Sequence, residues 1–188
     1  MPGRQMYSEG EKYLAERIRE LSVFREFAGF VKRAAGDKST PELRDLDLMS
    51  EYQLARNIYI FDVLKDTPSL WIRYVGTNIC DFFGFDTTGR FMENLNFEEN
   101  FDQTIAGYRT VAREKAPYAF LNYISFQEPK LTALKKDRLF VMIRLAFPLV
   151  DAQGDVVNIV GAMDFIDVEV APKERFVQLP FSEIADVR

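Results

Sequence analysis

The first third of the chain carries a repeating apolar seam. Leu14, Ile18, Leu21, Phe24, Ala28, Val31 and Ala35 follow close to heptad spacing, and Phe27 and Phe30 widen the face beyond a narrow stripe. Ser8 and Glu11 stand in the S-x-x-E arrangement of a capping box, and Gly36 is a natural stop. The pattern predicts one helix from about Ser8 to Ala35, weakened at Gly29 by roughly 1 kcal/mol relative to Ala. So wide a face must be buried, either on the chain's own sheet or on the same helix of a second subunit. On the second alternative, Leu14, Ile18, Leu21, Phe24, Phe27 and Val31 are the dimer-interface candidates.

After a polar break at Asp37 to Thr40, Pro41 can open a short helix, with Leu43, Leu46 and Leu48-Met49 loosely at helical spacing followed by Tyr52 and Leu54, before the apolar period becomes extended. Asn57 to Leu64 and Trp71 to Val75 are rich in β-branched and aromatic residues and predict a hairpin around Asp66-Thr67-Pro68-Ser69. Ile79, Phe82 and Phe83 suit a short helix ended by Gly84. Phe97, Phe101, Ile105, Tyr108 and Ala112 recur on one face of a longer helix. Three strands follow: Tyr118 to Phe126, Arg138 to Val150 and Val156 to Ile166, the last two joined by a turn containing Gly154. Segregated strands and helices indicate an antiparallel α+β sheet rather than alternating βαβ units. Between Arg138 and Val150 both faces are apolar except at Arg144, so both faces of the sheet should be covered.

Composition narrows the chemistry. With 47% apolar residues, 17 Phe and 8 Tyr in 188 residues, one well-filled core is expected. The net charge of -5 and the scatter of basic residues argue against a nucleic-acid footprint. The densest basic cluster, Lys135-Lys136-Asp137-Arg138, is interrupted by an acid and reads as a solvated loop. The absence of histidine removes His-based metal sites, His-dependent triads and a proximal haem histidine. A single cysteine, Cys80, excludes an internal disulfide and reads as a packed thiol. A polar N-terminus and no apolar run near the ~20 residues of a membrane span predict a cytoplasmic protein.

The order of elements, with certain residues, resembles a PAS domain. The carriers are Asp45-Leu46-Asp47-Leu48-Met49, Ile58-Tyr59-Ile60-Phe61-Asp62-Val63-Leu64, Ile72-Arg73-Tyr74-Val75-Gly76-Thr77, Thr88-Gly89-Arg90 and Phe147-Pro148-Leu149 with Gly154. These are similar to a single-domain PAS subfamily common in alphaproteobacteria. The likeness covers roughly Pro41 to Asp167. It divides the chain into a helix at 1–38, a PAS domain at 39–169 and a tail at 170–188. It implies a five-stranded antiparallel sheet with helices on one face, often enclosing a small-molecule cavity. It also implies work in bacterial signalling, frequently as a homodimer, with a kinase or regulator as a further partner. No catalytic or DNA-binding segment is recognisable, so the expected output acts in trans or through dimer rearrangement.

The candidate ligand pocket comprises Phe82, Phe83, Phe91, Met92, Phe101, Tyr108, Tyr123, Met142 and Arg144, alternatively simply a bulky core. Arg144 is its expected polar anchor, with Asp62 and Asp164 as suggested partners. No cofactor is expected. Cys80 superficially matches the cysteine of flavin-binding light-oxygen-voltage domains, yet the slot after Gly89-Arg90 holds Phe91-Met92, and a thioether forms no cysteinyl–flavin adduct. The alternatives to a ligand-binding sensor are a ligand-free dimeric adapter and an enzyme resembling ketosteroid isomerase, built on Asp164 with Tyr108 or Tyr123. With no nucleophile–base pair, metal constellation or phosphate loop, a non-enzyme is expected.

Overall fold

In the computed structural model, residues 7–65, 69–95, 101–125, 138–170 and 173–186 are described. Asp66-Thr67-Pro68, Phe97, Phe126 and Lys135-Lys136-Asp137 lie outside them.

The Ser8–Glu11 capping box is formed. The Glu11 amide donates to Ser8 Oγ at 3.1 Å, and the Ser8 amide to Glu11 Oε2 at 2.7 Å. Helix α1 (Glu9–Glu20) starts there, but the single helix expected to Ala35 is two. Leu21 adopts an extended conformation, φ -73° and ψ 121°, and α2 (Ser22–Ala35) restarts after it. The break lets both helices lie on one curved surface, a tertiary demand that a continuous apolar seam does not announce. Gly36, at φ 56°, ends α2.

A 3-10 turn (Leu43–Asp45) and the one-turn helix α3 (Tyr52–Ala55) lead into β1 (Ile58–Val63) and β2 (Leu70–Val75). Helix α4 (Thr77–Phe83), a 3-10 turn (Met92–Asn94) and α5 (Phe101–Glu114) follow. The chain ends with β3 (Tyr118–Ser125), β4 (Leu139–Val150), β5 (Val156–Val168), β6 (Phe176–Pro180) and a 3-10 turn (Phe181–Glu183). Gly84 closes α4 in the left-handed region, and Gly154 makes the β4–β5 turn at φ 81°. Every strand pair is antiparallel, in the order β2-β1-β5-β4-β3-β6.

The architecture is α+β, with six strands where five were expected. The sixth is built from the tail, whose Val177 and Leu179 alternate inward from an edge beside β3. Five residues broken by Gln178 and ended by Pro180 give too little period to read as a strand. Both segments outside the PAS resemblance thus pack on the sheet, and α1 touches β6, β3 and β4.

Strand parity separates two cores. On one face, Ile58, Ile60, Leu121, Val141, Ile143, Leu145, Val160 and Ala162 pack under α1 and α2. On the other, Tyr59, Phe61, Phe120, Met142, Ile159 and Met163 pack under α4 and α5. The apolar character of both faces of β4 is explained: each has its own helical cover.

That arrangement corrects the dimer-interface candidates. Leu14, Ile18, Phe24, Phe27 and Val31 are buried against the chain's own sheet, and Leu21 packs beside them. Their burial within one chain satisfies this apolar face. Among the described residues, no helix is long and apolar enough to cross a membrane.

Candidate functional site

The α4/α5 face carries a buried polar cluster. Four elements contribute to it: Tyr59 from β1, Asn122 from β3, Arg144 from β4, and Thr104 and Tyr108 from α5. Thr104 and Tyr108 are one helical turn apart, so both reach the same point on the sheet. Phe120 and Arg144 are direct cross-strand partners, and Asn122 lies two residues further along β3 on the same face.

Arg144 is 1% exposed, the largest fully buried side chain of the described protein. Its Nη1 donates to the Tyr108 hydroxyl at 3.1 Å, and its Nη2 to Thr104 Oγ1 at 3.3 Å and to Asn122 Oδ1. Asn122 Nδ2 donates to Thr104 Oγ1 at 2.7 Å, and the Tyr108 hydroxyl to that of Tyr59 at 3.0 Å. The guanidinium also lies over the rings of Tyr108 and Phe120, 5.3 and 5.6 Å from their centroids. A planar fork with five donors suits such a hub, where lysine's point charge would not.

Two glycines make room for the cluster. Gly161 sits directly across from Tyr59, and a methyl group added to it would overlap the Tyr59 ring. Gly107 gives the same clearance to Phe120, whose ring carbon would lie 2.6 Å from an added methyl.

Beside the cluster is a cavity of about 40 Å³, with Tyr59, Phe61, Ile72, Ile79, Phe83, Met92, Tyr108, Arg144 and Met163 among its walls. Of the sequence candidates, Phe83, Met92, Tyr108 and Arg144 meet there. Phe101 and Met142 are buried in the same core but do not line the cavity. Phe82 is also outside it, stacked on Phe165 at 3.5 Å and edge-on to Phe140. Phe91 packs edge-on to Trp71 at 4.9 Å. Tyr123 is corrected outright: its place between Asn122 and Ile124 turns it to the α1/α2 face, opposite Val141 and below the Arg175 guanidinium.

The suggested acidic partners of Arg144 are corrected for the same reason of parity. Asp62 accepts from Arg73 at 2.6 and 2.9 Å and from Asn158 at 2.6 Å. Asp164 stands across from Ile143 and accepts from the Phe165 amide, while burial raises its carboxyl above the ordinary value. Both point away from the guanidinium. Tyr59, Thr104 and Asn122 were missed. The available signal was a lone Asn in the apolar run Tyr118 to Ile124 and a Thr beside Ile105 on the inward face of α5.

The strand order, with α4 and α5 inserted between the second and third strands and packed on one face, is the arrangement that the resemblance implies. The fold is that of a PAS domain. No family model matches the chain, and no curated protein matches it. Solved structures do. A light-oxygen-voltage domain studied with a flavin analogue is 18% identical at a TM-score of 0.45, over 63% of this chain and 84% of its own. The PAS domain of a protein from Colwellia psychrerythraea is 10% identical at 0.45, over 64% and 98%. A sensory box sensor histidine kinase from Vibrio cholerae is 15% identical at 0.39, over 65% and 91%.

Within this PAS fold, Cys80 is half-buried on α4. Its thiol lies 3.8 Å from both the Val75 carbonyl and Asp86 Oδ1. Burial, then the Asp86 charge, pushes the thiol above its ordinary value, so it stays protonated at neutral pH. Among the described residues, no cluster of three or more His, Cys, Asp or Glu is placed to hold a metal ion.

Proposed function

We propose that the chain is a PAS sensor and interaction module whose reading point is the Arg144–Tyr108–Tyr59 end of the core cavity. The observation that carries this is a fully buried guanidinium at the wall of an apolar cavity, already bonded to a phenol that faces the same space. Convergent polar groups in an otherwise apolar pocket are what orient a small ligand. The donors favour a ligand with an acidic or carbonyl oxygen, which would accept from Arg144 and the Tyr59 hydroxyl, and a small apolar body against Ile72, Ile79 and Phe83. At about 40 Å³ the space holds about three water molecules. Ligands of more than a few heavy atoms would therefore require α4 and α5 to move outward, and that displacement is the signal we infer.

The same small volume favours a second reading, a ligand-free adapter with a filled core that presents its surface to a signalling partner. A non-enzymatic role belongs to both readings: of the pairs considered for catalysis, Asp164 and Tyr108 stand on opposite faces of the sheet, while Asp164 and Tyr123 share the α1/α2 face without a hydrogen bond between them among those described. Native mass spectrometry of protein purified without additives separates the two. A small molecule released on denaturation, and absent from the Arg144→Met variant, supports sensing. Clean protein that also takes up no small carboxylic acid from a screened panel supports the adapter.

A further inference from the structure

On the opposite side of the sheet lies a second and much larger cleft, of about 520 Å³, within the size range of small-molecule sites. It opens between α2, the loop at 36–41, the end of α5 and the 3-10 turn after β6. Its floor is aromatic: Phe147 and Phe181 meet edge to face at 5.5 Å, with Phe27 behind Phe147 at 5.6 Å. Its rim is basic. Lys32 on α2, Lys38 on the loop and Lys115 after α5 come from three separate elements, and no acid lines the opening among the described residues. This is a local reversal in a chain of net charge -5.

The three lysines are not equivalent. Lys38 is shared between Glu42 at 3.1 Å and Asp45 at 2.7 Å. Lys115 donates to the Gly154 carbonyl at 2.6 Å, and it holds that position from a left-handed backbone, φ 52°, where glycine is usual. It is the one non-glycine with positive φ among the described residues, a strain of the kind that collects at functional sites. Lys32 makes no ion pair among the described residues and is the cation left for a ligand. A cleft with one sign of charge and low-dielectric walls concentrates counter-ions.

We propose that this cleft binds an aliphatic monocarboxylate, its chain on the Phe147–Phe181 floor and its head group at Lys32. The floor offers no polar groups to read a sugar or a base, and one available ammonium suits one anionic head. The proposal is independent of the core cavity.

Decanoate below its micellar concentration, titrated by calorimetry into the full chain, is the test. We expect binding of one equivalent, weakened about tenfold by Lys32→Glu and abolished by Gly29→Leu. Gly29 lines the cleft from within α2, and a Cβ there meets only the tip of the flexible Arg33 side chain, at 3.4 Å, so the variant should fold while filling the space. The Arg144→Met variant should bind decanoate as the parent does. No binding, equal binding of decanol, unchanged affinity in both cleft variants, or loss of binding in Arg144→Met would each overturn the assignment.

Discussion

The two faces of one sheet are built on different principles. The α1/α2 face is almost wholly aliphatic and aromatic, with Leu14, Phe27, Leu121, Val141, Ile143 and Leu145 closed completely to solvent. The α4/α5 face buries a guanidinium, an amide and three hydroxyls, and leaves a small void beside them. Apolar burial is non-directional and gains from every added contact. A buried polar cluster gains little net stability, yet is costly once any member loses its partner. The first face is organised for holding the fold. The second spends packing on orientation, which is what reading a ligand requires.

Five substitutions test that contrast. The largest effect is expected on the apolar face: Phe27→Ala leaves a cavity under α2 and should cost about 3–5 kcal/mol in urea unfolding, without changing any ligand carried by the core. Next is Asn122→Leu, which removes one of the three acceptors of Arg144 and the donor to Thr104. A loss of about 3 kcal/mol is expected, because the guanidinium stays buried. If Arg144→Met costs less than Asn122→Leu, the penalty lies in the stranded charge and not in lost packing.

Gly161→Ala is smaller, about 1–3 kcal/mol from overpacking against Tyr59. It should also displace the Tyr59 hydroxyl from Tyr108, visible as altered tyrosine ring resonances in the NMR spectrum. The smallest effect belongs to Asp164→Asn on the apolar face. Burial raises the Asp164 carboxyl in the folded chain, so its favourable share of stability is complete below the unfolded value and is lost as pH rises through the folded one. The asparagine variant should therefore melt slightly higher than the parent at pH 7 and no higher at pH 3.

Much of this was legible beforehand, for identifiable reasons. The β-branched and aromatic content of β1 and β2 and the stop signals at Gly36, Gly84 and Gly154 are local effects of backbone sterics and pleat, which neighbours do not need to supply. The unrelieved apolar character of β4 required two covered faces. What failed was of another kind. The turn at Leu21 has no glycine or proline to mark it, and the edge strand from Phe176 to Pro180 exists because β3 offers unpaired backbone groups beside it. Tyr123 was misplaced by a single step of parity.

Propensity and periodicity, which act over a few residues, were enough for most element types, the α+β class and the presence of one costly arginine in an apolar strand. Which way that arginine points, and that its hydrogen bonds go to Tyr108, Thr104 and Asn122 rather than to Asp62 or Asp164, emerged with the folded chain. So did the folding back of the amphipathic N-terminus on its own sheet. Those outcomes depend on strand register and on competition between intramolecular and intermolecular burial, and both are settled by contacts between residues far apart in the chain.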